Sequence, residues 1–112
     1  MMIIEKPWGH EELIEHNERY VLKKLKMKKG CRCSLQYHEQ KKETIYVLDG
    51  ILKITLGSDE DLVDKLFLPG QSVTIDPGVI HRMEAMETSL YLEASTSELE
   101  DVVRIEDDYL RD

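Results

Sequence analysis

Short runs of alternating apolar and polar residues, each halted by a turn signal, make up nearly the whole chain. Period-two alternation sends successive side chains to opposite faces of a strand, and punctuation this frequent leaves no room for a long helix. "EELIEH" (11–16) stops at the polar break "NER", "YVLKKLKM" (20–27) runs into "KKG", and "CRCSLQYH" (31–38) gives way to the loop "EQKK". "ETIYVLDGILKITLG" (43–57) reads as a hairpin about Asp49-Gly50, a dipeptide favoured in tight two-residue connections. "SDEDLVDKL" (58–66) reads either as a longer loop or as part of a strand "LVDKLFL" (62–68). Two Pro-Gly turns flank a short strand in "PGQSVTIDPGVIHRMEAM" (69–86), "SLYLEAS" (89–95) is a further strand, and the tail 97–112 fits a short strand or a helix. Strands spaced this evenly predict an all-β sandwich or barrel.

At 112 residues and 41% apolar composition the chain suits one domain, 1–112, with one modest core. A formal charge of −8 argues against nucleic acid as a partner, since phosphate binding needs clustered positive charge. The one basic run, "LKKLKMKKG" (22–30), alternates between Val21, Lys23, Leu25, Met27 on one face and Leu22, Lys24, Lys26, Lys28 on the other, which describes a solvated strand face more simply than a polyanion patch. No apolar run approaches the ~20 residues that span a bilayer, so no membrane partner is expected. "MMIIEKPWGHEE" has neither the basic nor the long apolar region of a secretory signal. Cys31 and Cys33, on one strand face, would lie ~7 Å apart, at or beyond disulfide reach. They read as two small hydrophobes under reducing conditions, hence in the cytoplasm.

One strand face is polar where the pattern calls for apolar residues: Arg32, Ser34, Gln36 and His38 alternate with Cys31, Cys33, Leu35 and Tyr37. Such a stripe is either a solvated face or the lining of a site. Gln36 and His38 are followed by Glu43 and then Gly50, while His81 falls three residues after Gly78 in the second Pro-Gly turn. That spacing resembles the two-part motif of the cupins, a double-stranded β-barrel of jelly-roll type with Greek-key topology. The resemblance implies a metal set of Gln36, His38, Glu43 and His81, with glutamine in the slot where most cupins carry histidine.

Glutamine there is a feature of the mannose-6-phosphate isomerase branch. "KPWG" (6–9), "SLQYH" (34–38) with Glu43, "GVIHRME" (78–84) and "VVRIEDDYLRD" (102–112) resemble, in order, the C-terminal isomerase domain of the bifunctional type II mannose-6-phosphate isomerase/mannose-1-phosphate guanylyltransferases. No Gly-rich nucleotide loop precedes it, so the isomerase-like domain is expected to stand alone. Two imidazoles, a carboxylate and an amide oxygen suit one divalent ion, zinc first, with cobalt, manganese or magnesium as alternatives. The activity implied is isomerisation of a small-molecule sugar phosphate, mannose 6-phosphate to fructose 6-phosphate. That chemistry needs a cation at the C1 and C2 oxygens and a positioned base, and no base is identifiable from the sequence. Ser34 and Arg32, on the stripe, and Arg104, in the tail motif, are candidates for holding substrate and its phosphate. Cupins commonly pair, so a homodimer is implied by resemblance.

Other residues have plainer readings. Trp8 is a packing anchor, His10 and His16 are exposed, Lys53 faces solvent, and Arg82 points away from His81. "EDDYLRD" (106–112) lacks the spaced ligands and glycine of a calcium loop. The chain also departs from the isomerase pattern at Glu39, Lys41, Thr44, Ile45 and Ala85, and in a shorter segment between Glu93 and Arg104. These departures leave the substrate open to another phosphosugar or a nucleotide sugar. A non-catalytic metal- or sugar-binding cupin and a different cupin enzyme, such as a metal-dependent dioxygenase, are the competing readings.

Overall fold

A computed structural model describes residues 2–109. These residues form eleven strands and no helix: β1 (Met2–Lys6), β2 (Gly9–His16), β3 (Val21–Met27), β4 (Leu35–Tyr37), β5 (Glu43–Asp49), β6 (Leu52–Ser58), β7 (Asp61–Phe67), β8 (Ser72–Ile75), β9 (Ile80–Ala85), β10 (Ser89–Ser95) and β11 (Val103–Glu106). One sheet runs β1-β2-β3-β10-β5-β8 and the other β11-β4-β9-β6-β7, with every pairing antiparallel. Their facing sides bury Leu25, Met27, Ile45 and Val47 against Leu52, Ile54 and Met83. Trp8 is buried in the same cluster, in agreement with its reading as an anchor.

The alternation in "VLKKLKM" is realised, with Val21, Leu25 and Met27 buried and Lys26 exposed. Lys23 falls on the buried face too, which corrects the reading of the basic run as wholly solvated. Its ammonium lies 3.1 Å from Glu11 Oε1, so the buried charge is matched.

The segment 43–57 is not a hairpin. β5 and β6 belong to different sheets, and the Asp49-Gly50 turn is a corner that carries the chain across the sandwich. β10 and β8 occupy both edges of β5, and β6 makes its hairpin with β7 instead. Gly50 has φ +89°, and a Cβ there would lie 2.5 Å from the Thr88 carbonyl oxygen. The glycine is therefore required by close approach to the β9–β10 connection as well as by the turn. The strand expected over 31–38 is confined to β4, with an isolated bridge from Arg32 to Glu84 before it. Of the open alternatives, 62–68 lies mainly in strand β7 and the tail supplies strand β11, while residues 110–112 of "EDDYLRD" lie outside the described residues. β1 has no counterpart in the sequence expectations. Among the described residues no helix is long and apolar enough to cross a membrane.

Two rows of directly opposed residues build the interior. Across the five-stranded sheet, Arg104 faces Gln36, Gln36 faces His81, and His81 faces Leu56. Across the six-stranded sheet, Val21 faces Ser95, Ser95 faces Glu43, and Glu43 faces Ile75. Opposed residues on neighbouring strands share a face. Gln36 and His81 therefore project together from one sheet, and Glu43 comes from the other.

Candidate metal centre

His38, Glu43 and His81 meet in the interior, 3%, 2% and 0% exposed, with one ligand atom from each within 4.8 Å of the others. His38 lies just past β4, and its backbone carbonyl accepts a 2.7 Å bond from the Gly78 amide, which brings the second Pro-Gly turn beside it. His81 follows on β9.

The imidazole tautomers follow from their partners. His38 Nδ1 is 2.5 Å from the Asp101 carbonyl and His81 Nδ1 is 3.0 Å from the Val79 carbonyl. A carbonyl only accepts, so both Nδ1 atoms carry the proton and donate. Both Nε2 atoms then face the same atom, Glu43 Oε1, at 3.2 Å from His38 and 3.0 Å from His81. His81 Nε2 makes no hydrogen bond there, and Glu43 Oε2 also lacks one. Burial would push the Glu43 carboxyl up, but the two imidazoles and the Lys41 ammonium hold it well below the usual range. For His38, burial is outweighed in the other direction by the Glu43 carboxylate and the Asp101 carbonyl, which raise its pKa. Two imidazole nitrogens and a carboxylate oxygen therefore converge on one point. A cation satisfies all three, and this N,N,O set fits a divalent metal ion.

Gln36 stands directly opposite His81 across the β4–β9 pair. Its Oε1 accepts from Ser34 Oγ at 2.5 Å and retains a second lone pair on the face shared with His81. Ser34, Gln36, His38 and Arg104 all line a cavity of about 110 Å³. Arg32 is not brought there. Its guanidinium holds Asp108 at 2.5 and 2.9 Å, on the outside of the sheet edge, because the chain is not a regular strand between 32 and 34.

Several lining residues have no place in the sequence expectations. Lys41, 5% exposed, sits between Glu93 Oε2 at 3.0 Å and Glu43 Oε2 at 3.5 Å. Burial and the charge of Glu43 raise the Glu93 carboxyl, with Lys41 and Lys23 opposing. The Lys23–Glu11 pair and Tyr91, whose buried hydroxyl has no hydrogen-bond partner, face the same space. Lys23 carries a visible signal, a charge on an otherwise apolar strand face, whereas Glu93 shares its face with Ser89, Tyr91 and Ser95 and opposes the apolar Leu90, Leu92 and Ala94. Lys41 lies in a loop and carries none.

The remaining residues behave mostly as expected. His16 is exposed, while His10 is half-buried where exposure was expected, on the strand that pairs with both β1 and β3. Lys53 is half-buried and pairs with Glu84 at 3.4 Å, and Cys31 and Cys33 are free thiols. Burial pushes the Cys33 thiol up to about 11, which makes it inert. Arg82 is buried on the face opposite His81, donating to the Cys33 carbonyl at 2.9 Å.

Comparison with known proteins gives the family and the fold. Residues 2–107 match the family described as Mannose-6-phosphate isomerase C-terminal. The chain is 34% identical over 113 residues to the xanthan biosynthesis protein XanB of Xanthomonas campestris pv. campestris, covering 96% of this chain and 23% of that protein. It is 36% identical over 80 residues to mannose-1-phosphate guanylyltransferase 2 of Escherichia coli O157:H7, covering 67% of this chain and 17% of that one. The chain thus spans under a quarter of the length of these relatives. In fold it is similar to KdgF from Halomonas sp. (TM-score 0.78, 17% identity, 88% of this chain and 89% of that one). An RmlC-like cupin from Shewanella frigidimarina also has TM-score 0.78, at 19% identity over 88% and 86% of the two chains. The fold is that of a cupin, and the chain belongs to the family of mannose-6-phosphate isomerase C-terminal domains.

Proposed function

We propose that the cavity is the site of a metal-dependent aldose–ketose isomerase acting on a sugar phosphate, with mannose 6-phosphate and fructose 6-phosphate as the pair. The observation that carries this reading is the meeting of His38, Glu43 and His81 beside a buried, non-ligating carboxylate, Glu93. The family and the names of its relatives support the substrate class. A divalent ion, zinc by the character of the donors, would be held by His38, Glu43, His81 and Gln36, and would stabilise negative charge on the sugar oxygens.

The chain's own residues do the rest. Isomerisation moves a proton between C2 and C1, so a base must take it from one carbon and return it to the other. Glu93 is the assigned base: it faces the cavity, it is not a ligand, and burial raises its carboxyl toward working pH. Lys41 fixes its orientation and links it to Glu43, one side chain from the metal set. Glu11 also faces the cavity, but Lys23 closes on it and it has no link to the ligands.

Charge accounting supports one position for the phosphate. The inner cations Lys23 and Lys41 are each paired with a carboxylate. Arg104 and Lys6 line the cavity with no ion-pair partner among the described residues. The phosphate therefore sits near Arg104 and Lys6, and the carbonyl end reaches inward. Ser34, committed to Gln36, positions the amide rather than the sugar.

The test is turnover of mannose 6-phosphate by protein stripped of metal and reloaded separately with zinc, cobalt, manganese or magnesium. Fructose 6-phosphate formed only by loaded protein supports the reading. Folded, loaded protein that forms none with any ion refutes it.

A further inference from the structure

β7 ends the five-stranded sheet with β6 as its one strand neighbour among the described residues. It is also the barest element of the fold. Leu62, Val63 and Leu66 are 40%, 51% and 61% exposed, and Leu68, just after the strand, is 48% exposed. An edge strand turns alternate N–H and C=O groups outward, and apolar side chains on both of its faces make it a template for another strand. Charged residues on such an edge ordinarily discourage pairing, so their arrangement decides whether pairing is blocked or directed.

On β7 the arrangement directs it. Asp61, Val63 and Lys65 lie opposite Ser58, Leu56 and Ile54 on one face, while Leu62, Asp64 and Leu66 lie on the other. Two copies joined edge to edge about a two-fold axis must pair antiparallel, with residues of the same face opposed. The registers that keep most of the strand paired are centred on Val63, Asp64 or Lys65. Centring on Asp64 sets two aspartates against each other, and centring on Lys65 sets two lysines against each other. Centring on Val63 sets valine against valine and places Asp61 of each copy against Lys65 of the other. Neither Asp61 nor Lys65 has an ion-pair partner within the described chain, whereas Asp64 is already bonded to Thr55 Oγ1 at 2.6 Å. The same register brings the acidic turn Asp59-Glu60 of each copy alongside the Lys65 end of its partner.

We propose that two copies of this chain associate through β7, antiparallel and centred on Val63, with reciprocal Asp61–Lys65 pairs selecting the register. The inference is independent of the functional reading, because no residue of the cavity takes part.

Sedimentation velocity at physiological salt, over roughly 10 μM to 1 mM protein, tests it. Wild-type protein is expected to shift from monomer to dimer across that range. Asp61→Lys and Lys65→Asp should each weaken association about tenfold, since each creates two like-charge pairs. An equimolar mixture of the two variants should recover wild-type association, because in the mixed dimer each facing pair of positions 61 and 65 again joins a lysine to an aspartate. Asp61→Lys also reduces the net negative charge, so general repulsion would predict tighter association where this register predicts weaker. Circular dichroism checks that both variants fold. A wild type that stays monomeric throughout overturns the proposal and leaves the edge to a strand from another chain. A dimer indifferent to either substitution, or a mixture no tighter than its components, overturns it as well.

Discussion

Asp101 holds His38 from the far side of the ring: its backbone carbonyl lies 2.5 Å from Nδ1, which leaves Nε2 to face Glu43. The same residue's carboxylate accepts the backbone amides of Glu39, Gln40 and Lys41 at 3.1, 2.7 and 2.9 Å. A single residue between β10 and β11 thus orients His38 and fastens the loop carrying Lys41. Asp101→Ala keeps the carbonyl that His38 meets but releases the 39–41 amides, so it should leave all proposed ligands in place and lower metal affinity by less than the ~10- to 100-fold usual for losing an outer orienting group. Competition against a chelator measures it, and unchanged affinity would show that the loop holds its shape unaided.

His81→Ala and Gln36→Ala test the ligand set. His81→Ala should reduce metal occupancy to background while the far-ultraviolet spectrum stays that of an all-β protein. Gln36→Ala should reduce it less, since an amide oxygen is a neutral donor. Metal content by mass spectrometry reads both. Full occupancy in either variant removes that residue from the set.

Glu93→Gln keeps the shape of the side chain and removes its basicity. Metal content should match wild type, while kcat should fall about 10²- to 10⁴-fold with little change in KM. Exchange of the substrate C2 proton with solvent should fall in parallel. Loss of turnover with exchange preserved would place the base elsewhere.

Lys23→Met strands the buried Glu11 carboxylate and should destabilise the fold by about 3 kcal/mol. Adding Glu11→Leu should recover most of that loss. Urea melts of the two single variants and the double give the coupling, and simple additivity would mean that the pair does not act as a unit.

Arg32→Ala should leave substrate affinity unchanged, because Arg32 is engaged by Asp108 and not by the cavity. The hydrogen bond from Arg32, aided by its charge, holds the Asp108 carboxyl below its ordinary value. A depressed carboxyl stabilises the fold above its unfolded pKa of ~3.9 and loses that contribution as pH falls through the lower folded value. The acid limb of stability should therefore flatten slightly in Arg32→Ala. An NMR titration of Asp108 should show its pKa rising in the variant, and an unmoved value would remove Arg32 as the cause.

Much of this arrangement is legible in local pattern, and the rest depends on which strands pair. Spacing around Gln36, His38, Glu43 and His81 singles out residues that the fold does gather on facing walls, because turn signals and period-two alternation are local properties. Asp49-Gly50 announces a turn correctly but cannot say that β6 will leave the sheet, since strand edges are allotted by distant partners such as β10 and β7. Arg32 is misplaced by the pattern because the alternation assumed there breaks down before β4. Asp101 acts partly through its backbone carbonyl, which every residue possesses, so no side-chain pattern can announce it. Lys23 is open to a stricter reading, as a charge on an apolar face that must find a partner, whereas Glu93 lies on the more polar face of its strand and is buried only because of how the sheets stack.

The corner at Gly50 has a consequence for the order of events in folding. Because it sends β5 and β6 into different layers, Glu43 and His81 are strangers until the two sheets have closed on each other. An ion can then find its full set of donors only in the finished sandwich, not in a hairpin or a single sheet. It acts as a latch on the closed form rather than a seed for it, so loading should slow unfolding far more than it hastens folding.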